Sequence, residues 1–226
     1  MKKFLPTLAF VVALAAPQFA SAVTILTATV GGGPTGNDFV TFDNLPLGNA
    51  GGVSNGVAVS FTGSGQTVQG SQRGVYAAPF LSGDNGDDFG FPAGFVGQDT
   101  TKYLTTGIGT IELTLASSST YLGLLWGSVD TFNTLTFFDG ATQLATFSGV
   151  DVTATANGDR GLNGTLYVNI TSDTAFNRVV ASSTNFAFEL DNVSYNNSNR
   201  VPDGGATLAL LGSVMGGFVL LRRFKK

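Results

Sequence analysis

A chain of 226 residues with no cysteine and no histidine excludes a disulfide framework, Ser-His-Asp and Cys-His nucleophiles, His- or Cys-bound zinc and a histidine pH switch. Glycine (31) and phenylalanine (19) are frequent while charged residues make up 12%, which is the composition of short strands joined by tight turns rather than of helices. Between residues 23 and 200 five basic residues stand against fourteen acidic ones, a balance of −9, so the body lacks the Lys and Arg that phosphate contacts need and no nucleic-acid partner is expected.

The first 22 residues read as a secretory signal peptide. Lys2 and Lys3 form a positive start, an apolar stretch follows, and Ala20-Ser21-Ala22 supplies the small residues a signal peptidase cuts after, so the mature chain begins at Val23. An alternating run over residues 23–30 predicts a first strand, broken by Gly31-Gly32-Gly33-Pro34. Residues 39–45 and 57–61 predict two more. Residues 63–98 carry few strand signals and centre on Ser82-Gly83-Asp84-Asn85-Gly86-Asp87-Asp88-Phe89-Gly90, an excursion over one end of the domain.

Strand signals become dense from Lys102. Residues 108–115 alternate, with Ile111, Leu113 and Leu115 on one face, and residues 121–126 are nearly all apolar, as a central strand covered on both sides requires. Residues 134–138 and 143–147 flank Asp139-Gly140, a dipeptide suited to the positive φ of a tight hairpin. Residues 165–170, 178–182 and 186–195 complete nine or ten strands. The expected body, residues 23–195, is all-β: a two-sheet antiparallel sandwich of jelly-roll type. Residues 196–200 are a polar linker.

The end of the chain, residues 201–226, has three parts: the turn-forming Val201-Pro202-Asp203-Gly204-Gly205, an uncharged run over residues 206–221, and a basic tip of Arg222, Arg223, Lys225 and Lys226. As a helix the run spans ~24 Å, and snorkelling of the first two arginines extends it toward a thin bilayer core. The basic tip sets its end in the cytoplasm, and the cleaved signal sets the body outside, so both ends give one topology. This tail resembles a PEP-CTERM-type sorting signal. It departs from the usual Val-Pro-Glu-Pro at Asp203 and Gly204 and stands closer to the Val-Pro-Asp-Ser-Gly variant. The resemblance implies recognition by an exosortase, transient anchoring in the inner membrane, cleavage near the motif and delivery to the cell surface or extracellular matrix. The body, through Tyr103-Leu104-Thr105-Thr106-Gly107, Tyr121-Leu122-Gly123-Leu124-Leu125-Trp126-Gly127-Ser128-Val129-Asp130, Asn133-Thr134-Leu135 and Phe186-Ala187-Phe188-Glu189-Leu190-Asp191-Asn192-Val193, is similar to a family of exosortase-dependent surface proteins known by sorting rather than by activity.

No pattern in the body names a catalytic acid and base. Glu112 and Glu189 are the only glutamates; Glu189 shares a strand face with Asp191, an arrangement that ion-binding and solvated pairs share with glycosidases. A non-catalytic body is therefore expected, with a carbohydrate-binding module that attaches the cell to polysaccharide as the alternative and a glycoside hydrolase behind it. A structural calcium ion is the one cofactor with candidate ligands: Asp84, Asp87 and Asp88 on a Gly-permitted turn, and the Asp-Asn pairs that begin at Asp43 and Asp191. The Leu190-Asp191-Asn192-Val193 segment resembles the closing strand of calcium-bearing jelly-roll modules. Trp126, set among leucines, is expected in the core rather than on a sugar-stacking platform with Tyr121.

Overall fold

A computed structural model describes residues 24–196. The signal segment with Ala20, Ala22 and Val23, and the tail with its sorting motif, apolar run and basic tip, lie outside the described residues. Thirteen strands follow one another: β1 (Thr24–Thr29), β2 (Asp38–Val40), β3 (Gly52–Ser54), β4 (Val57–Gly63), β5 (Gln66–Gln69), β6 (Phe80–Leu81), β7 (Gly97–Gln98), β8 (Lys102–Thr106), β9 (Gly109–Gly127), β10 (Asn133–Asp139), β11 (Thr142–Ser148), β12 (Leu166–Ser183) and β13 (Phe188–Tyr195). Among the described residues, helix is confined to one α-turn, α1 (Gly149–Val152), and two 3-10 turns at Asp87–Phe89 and Leu162–Gly164.

Eleven strands form one antiparallel hydrogen-bonded network, and β6 and β7 pair separately. Two long strands hold the network together, and they differ from the sequence reading. The runs at 108–115 and 121–126 are one strand, β9, and those at 165–170 and 178–182 are one strand, β12. Ser117-Ser118-Ser119-Thr120 joins the halves of β9 without Gly or Pro. Serine and threonine tolerate extended backbone, so a polar stretch alone does not end a strand. Neighbours change instead. The first half of β9 lies between β4 and the end of β12, and its second half lies between the start of β12 and β13. Register shifts in β12 between Thr171 and Phe176 mark the change.

The inward faces of both halves share one core. Ile111 and Leu113 from the first half meet Leu122, Leu124 and Trp126 from the second, together with Phe137, Phe176, Phe188 and Leu190. Trp126 is fully buried and stacks on Phe188 with ring centroids 4.3 Å apart, the expected core position. Tyr121 is buried too, so neither forms a surface platform. The second half of β9 is buried on both sides, as its apolar run predicts: Leu125 packs with Leu81, Phe89 and Tyr167 beneath residues 70–101, the excursion between β5 and β8. The Asp139-Gly140 hairpin also forms, with Asp139 opposite Thr142 and Gly140 at φ +55.

Two other expectations need correction. The strand predicted over 39–45 stops at Val40; a turn follows, closed by the Leu45 amide donating to the Phe42 carbonyl at 3.0 Å. Phe42 and Leu45 are buried from a turn, so their spacing reported burial rather than strand. The region 63–98 contributes β5, which pairs with β8 at the sheet edge, and the β6–β7 ribbon.

Candidate functional site

The last described strand organises the site. Every residue of β13 is buried, and it lies between β9 and β8, with Glu189 opposite Gly127 and Thr105, and Leu190 opposite Trp126 and Leu104. Side chains alternate along a strand, so Leu190 enters the core while Glu189 and Asp191 share the opposite face with Thr105, Tyr103 and Leu125. A bulge follows at once: Asn192 has φ +48 and register shifts between Asp191 and Ser194. The bulge is held by the Tyr167 hydroxyl donating to the Asn192 carbonyl at 2.9 Å and by Asn192 Nδ2 donating to the Asn85 carbonyl at 2.8 Å. The 70–101 excursion therefore forms a roof over two carboxyls of one strand.

Glu189 is 1% exposed. Its Oε1 accepts the Ala77 amide at 2.9 Å, and its Oε2 accepts the Ser128 hydroxyl. Ser128 has φ +38, a left-handed conformation that costs a non-glycine residue about 1–3 kcal/mol and here aims the hydroxyl inward. Burial raises the Glu189 carboxyl to about 7, opposed by the hydrogen bonds from Ser128 and Ala77 and reinforced by the charge of Asp130.

Beside Glu189 opens a cleft of about 310 Å³, lined among others by Tyr76, Phe132, Phe186, Asp130, Asn157 and Arg160. Phe186 is 45% exposed. Burial raises the Asp130 carboxyl. The loop carrying Asn157 and Arg160 closes on Asp130 because residue 158 is glycine: a Cβ there would stand 2.6 Å from Asp130 Oδ2. The Gly158 amide, at φ +70, donates to the Val129 carbonyl at 3.0 Å.

Asp191 faces a different environment. It is fully buried, and neither carboxyl oxygen meets a protein donor in hydrogen-bonding geometry. Asp99, 2% exposed, stands against it from the segment between β7 and β8. The Asp99 amide donates to the Pro79 carbonyl at 2.8 Å, and its Oδ1 accepts the Thr101 amide at 2.7 Å and hydroxyl at 2.6 Å, while Oδ2 has no donor. Burial first, then the neighbouring Asp99, hold the Asp191 carboxyl above the usual carboxylate range, with the nearby Asn192 amide opposing them.

The candidate calcium ligands do not gather into one set. Asp43 Oδ1 accepts the Lys102 amide at 2.9 Å, and Asp43 adds only a minor charge effect at Asp191. Asp84 and Asp88 are exposed; Asp87 and Asp88 begin a 3-10 turn, and Asp87 Oδ1 accepts the Gly94 amide of its own loop at 3.3 Å. Among the described residues no three acidic side chains converge on a metal-sized space. Asp99, Ser128 and Asp130 escaped the sequence reading. Their partners lie far along the chain, and a lone Asp in Gln98-Asp99-Thr100 looks like any surface turn.

Residues 200–224 match the family model of the VPDSG-CTERM motif, a PEP-CTERM-like C-terminal motif of exosortase sorting. No curated protein and no solved structure matches the chain.

Proposed function

We propose that this chain is an exported bacterial surface or extracellular-matrix protein. A signal peptidase removes residues 1–22, the 206–221 segment then holds the chain in the inner membrane, and an exosortase processes it at Val201-Pro202-Asp203-Gly204-Gly205. The motif match at residues 200–224 carries this reading. The acidic balance of the body suits an extracellular domain, and the four basic residues of the tip suit a cytoplasmic end. Fractionation of cells with and without their exosortase tests it. Without the enzyme the full-length chain accumulates in the inner membrane; an unchanged distribution contradicts the reading.

The body is a non-catalytic, jelly-roll-like sandwich. Two long strands shared between two sets of neighbours, over one core, support that architecture. A holding role for Glu189 supports the absence of catalysis, since both carboxylate oxygens are engaged by Ala77 and Ser128. The cleft favours a second reading, a carbohydrate-binding surface: three aromatic rings beside an amide, a carboxyl and a guanidinium offer stacking and hydrogen bonds together. Saturable binding of the full-length chain to one polysaccharide class on a glycan array, weakened by Phe186→Ala, is the expected result of that reading. Binding unaffected by the substitution excludes the cleft.

A further inference from the structure

We propose that Asp99 and Asp191 form a calcium site that ties the excursion over the sheet to the central strand β13. Both carboxyls are buried beside each other, and three of their four oxygens, both of Asp191 and Oδ2 of Asp99, have no protein donor in hydrogen-bonding geometry. Thr105 Oγ1, on the same sheet face and also buried, has none either. Two carboxylates ionised side by side away from water repel each other and lose their hydration, which an ion between them offsets.

No protein cation relieves them. Lys102, next to Tyr103 on β8, directs its ammonium to the carbonyls of Asp43 and Leu45, at 2.8 Å each. Arg178 pairs with Glu112, and Arg73 and Arg160 are exposed. A divalent cation balances the two charges. Oxygen-only ligands select a hard ion, and an irregular buried pair suits calcium, which accepts flexible geometry, over magnesium, which keeps an octahedral shell of waters. The residues differ from those that sequence spacing singles out. Asp191 remains, but its partner is Asp99 rather than Asp43, whose Oδ1 accepts the Lys102 amide, and the acidic turn at 84–88 takes no part.

The consequence is mechanical. Asp99 is anchored to Pro79, and Ala77 is hydrogen-bonded to Glu189, so an ion at the pair fastens the same segment that supplies Tyr76 to the cleft. The test uses the full-length chain in detergent at pH 8, with radioactive calcium in equilibrium dialysis and thermal melting in calcium or EDTA. We expect about one bound calcium with a dissociation constant at or below ~1 mM, the range of extracellular modules. Saturating calcium should raise the melting midpoint by about 5–10 °C over EDTA.

Asp99→Asn and Asp191→Asn should each abolish binding while Asp84→Asn and Asp87→Asn keep it. If Asp191→Asn fails to give the wild-type circular dichroism spectrum, Asp99→Asn decides alone, because its change lies in the covering segment. No bound calcium at ~1 mM means that the pair shares a proton instead, and overturns the proposal. Binding that survives Asp99→Asn, or is lost in the Asp84 or Asp87 variant, also overturns it.

Discussion

Glu189 has a measurable consequence for stability. Its carboxyl ordinarily titrates near 4.5 and in the folded chain near 7, so between those values the native state holds a proton that the unfolded chain has released. Native proton excess makes unfolding free energy fall as pH rises, by up to about 1.4 kcal/mol per pH unit for one group. The Asp191 carboxyl is shifted in the same direction and adds to the trend. Urea midpoints taken in EDTA should therefore decline from pH 4.5 toward pH 7, and Glu189→Gln, which keeps acceptor and shape, should make the decline shallower. A wild-type midpoint that rises across this window contradicts the assignment. On the opposite face of β13, Phe188 stacks on Trp126 without solvent exposure. Phe188→Ala should cost about 3–5 kcal/mol in urea unfolding through cavity and lost packing; a loss below about 1 kcal/mol would show that the core collapses freely around it. The Trp126 position was legible from its leucine neighbours. The Ser128–Glu189 and Asp99–Asp191 contacts were not, since they join residues 61 and 92 positions apart and no local period reports them.

At the scale of elements, β9 and β12 fix the geometry. Alternation at Ile111, Leu113 and Leu115 and the apolar run after Tyr121 were both readable, and so was the Asp139-Gly140 hairpin. Continuity across Ser117–Thr120 was not, because the stretch carries neither a breaker nor an apolar period. Its extension is imposed by pairing with strands elsewhere in the chain. The same holds for β5, whose Gln66-Thr67-Val68-Gln69 is paired to β8. The start of β9 depends on backbone closeness. Gly109 has φ +154, and a Cβ there would stand 2.2 Å from the Thr62 carbonyl oxygen. Gly109→Ala must separate β4 from β9 or distort the Gly107-Ile108 turn that leads from β8 into β9, so it should destabilise the fold by roughly 1–3 kcal/mol in thermal unfolding. Ala at Gly140, which has φ +55 and open space around it, should cost less, about 1 kcal/mol. Equal effects at the two positions would mean that the Thr62 contact does not constrain the turn.

For the whole molecule, the charges divide along the chain. Six of the eleven basic residues lie in the end segments and the body is left at −9, a division that fits the proposed topology of basic ends at the membrane and an acidic body outside it. The tail was the most legible part of the chain because order alone defines it: a turn motif, an uncharged run, a basic tip. The body needed three-dimensional contacts before Glu189, Asp191 and the aromatic cleft came together. Sorting with processing at the C-terminal motif is the central claim, and mass spectrometry of the C-terminal peptide of surface-fraction protein tests it most directly. The chain is expected to end near Val201–Gly205 when the exosortase is present and at Lys226 when it is absent; Lys226 intact on surface protein from exosortase-containing cells would contradict sorting by cleavage.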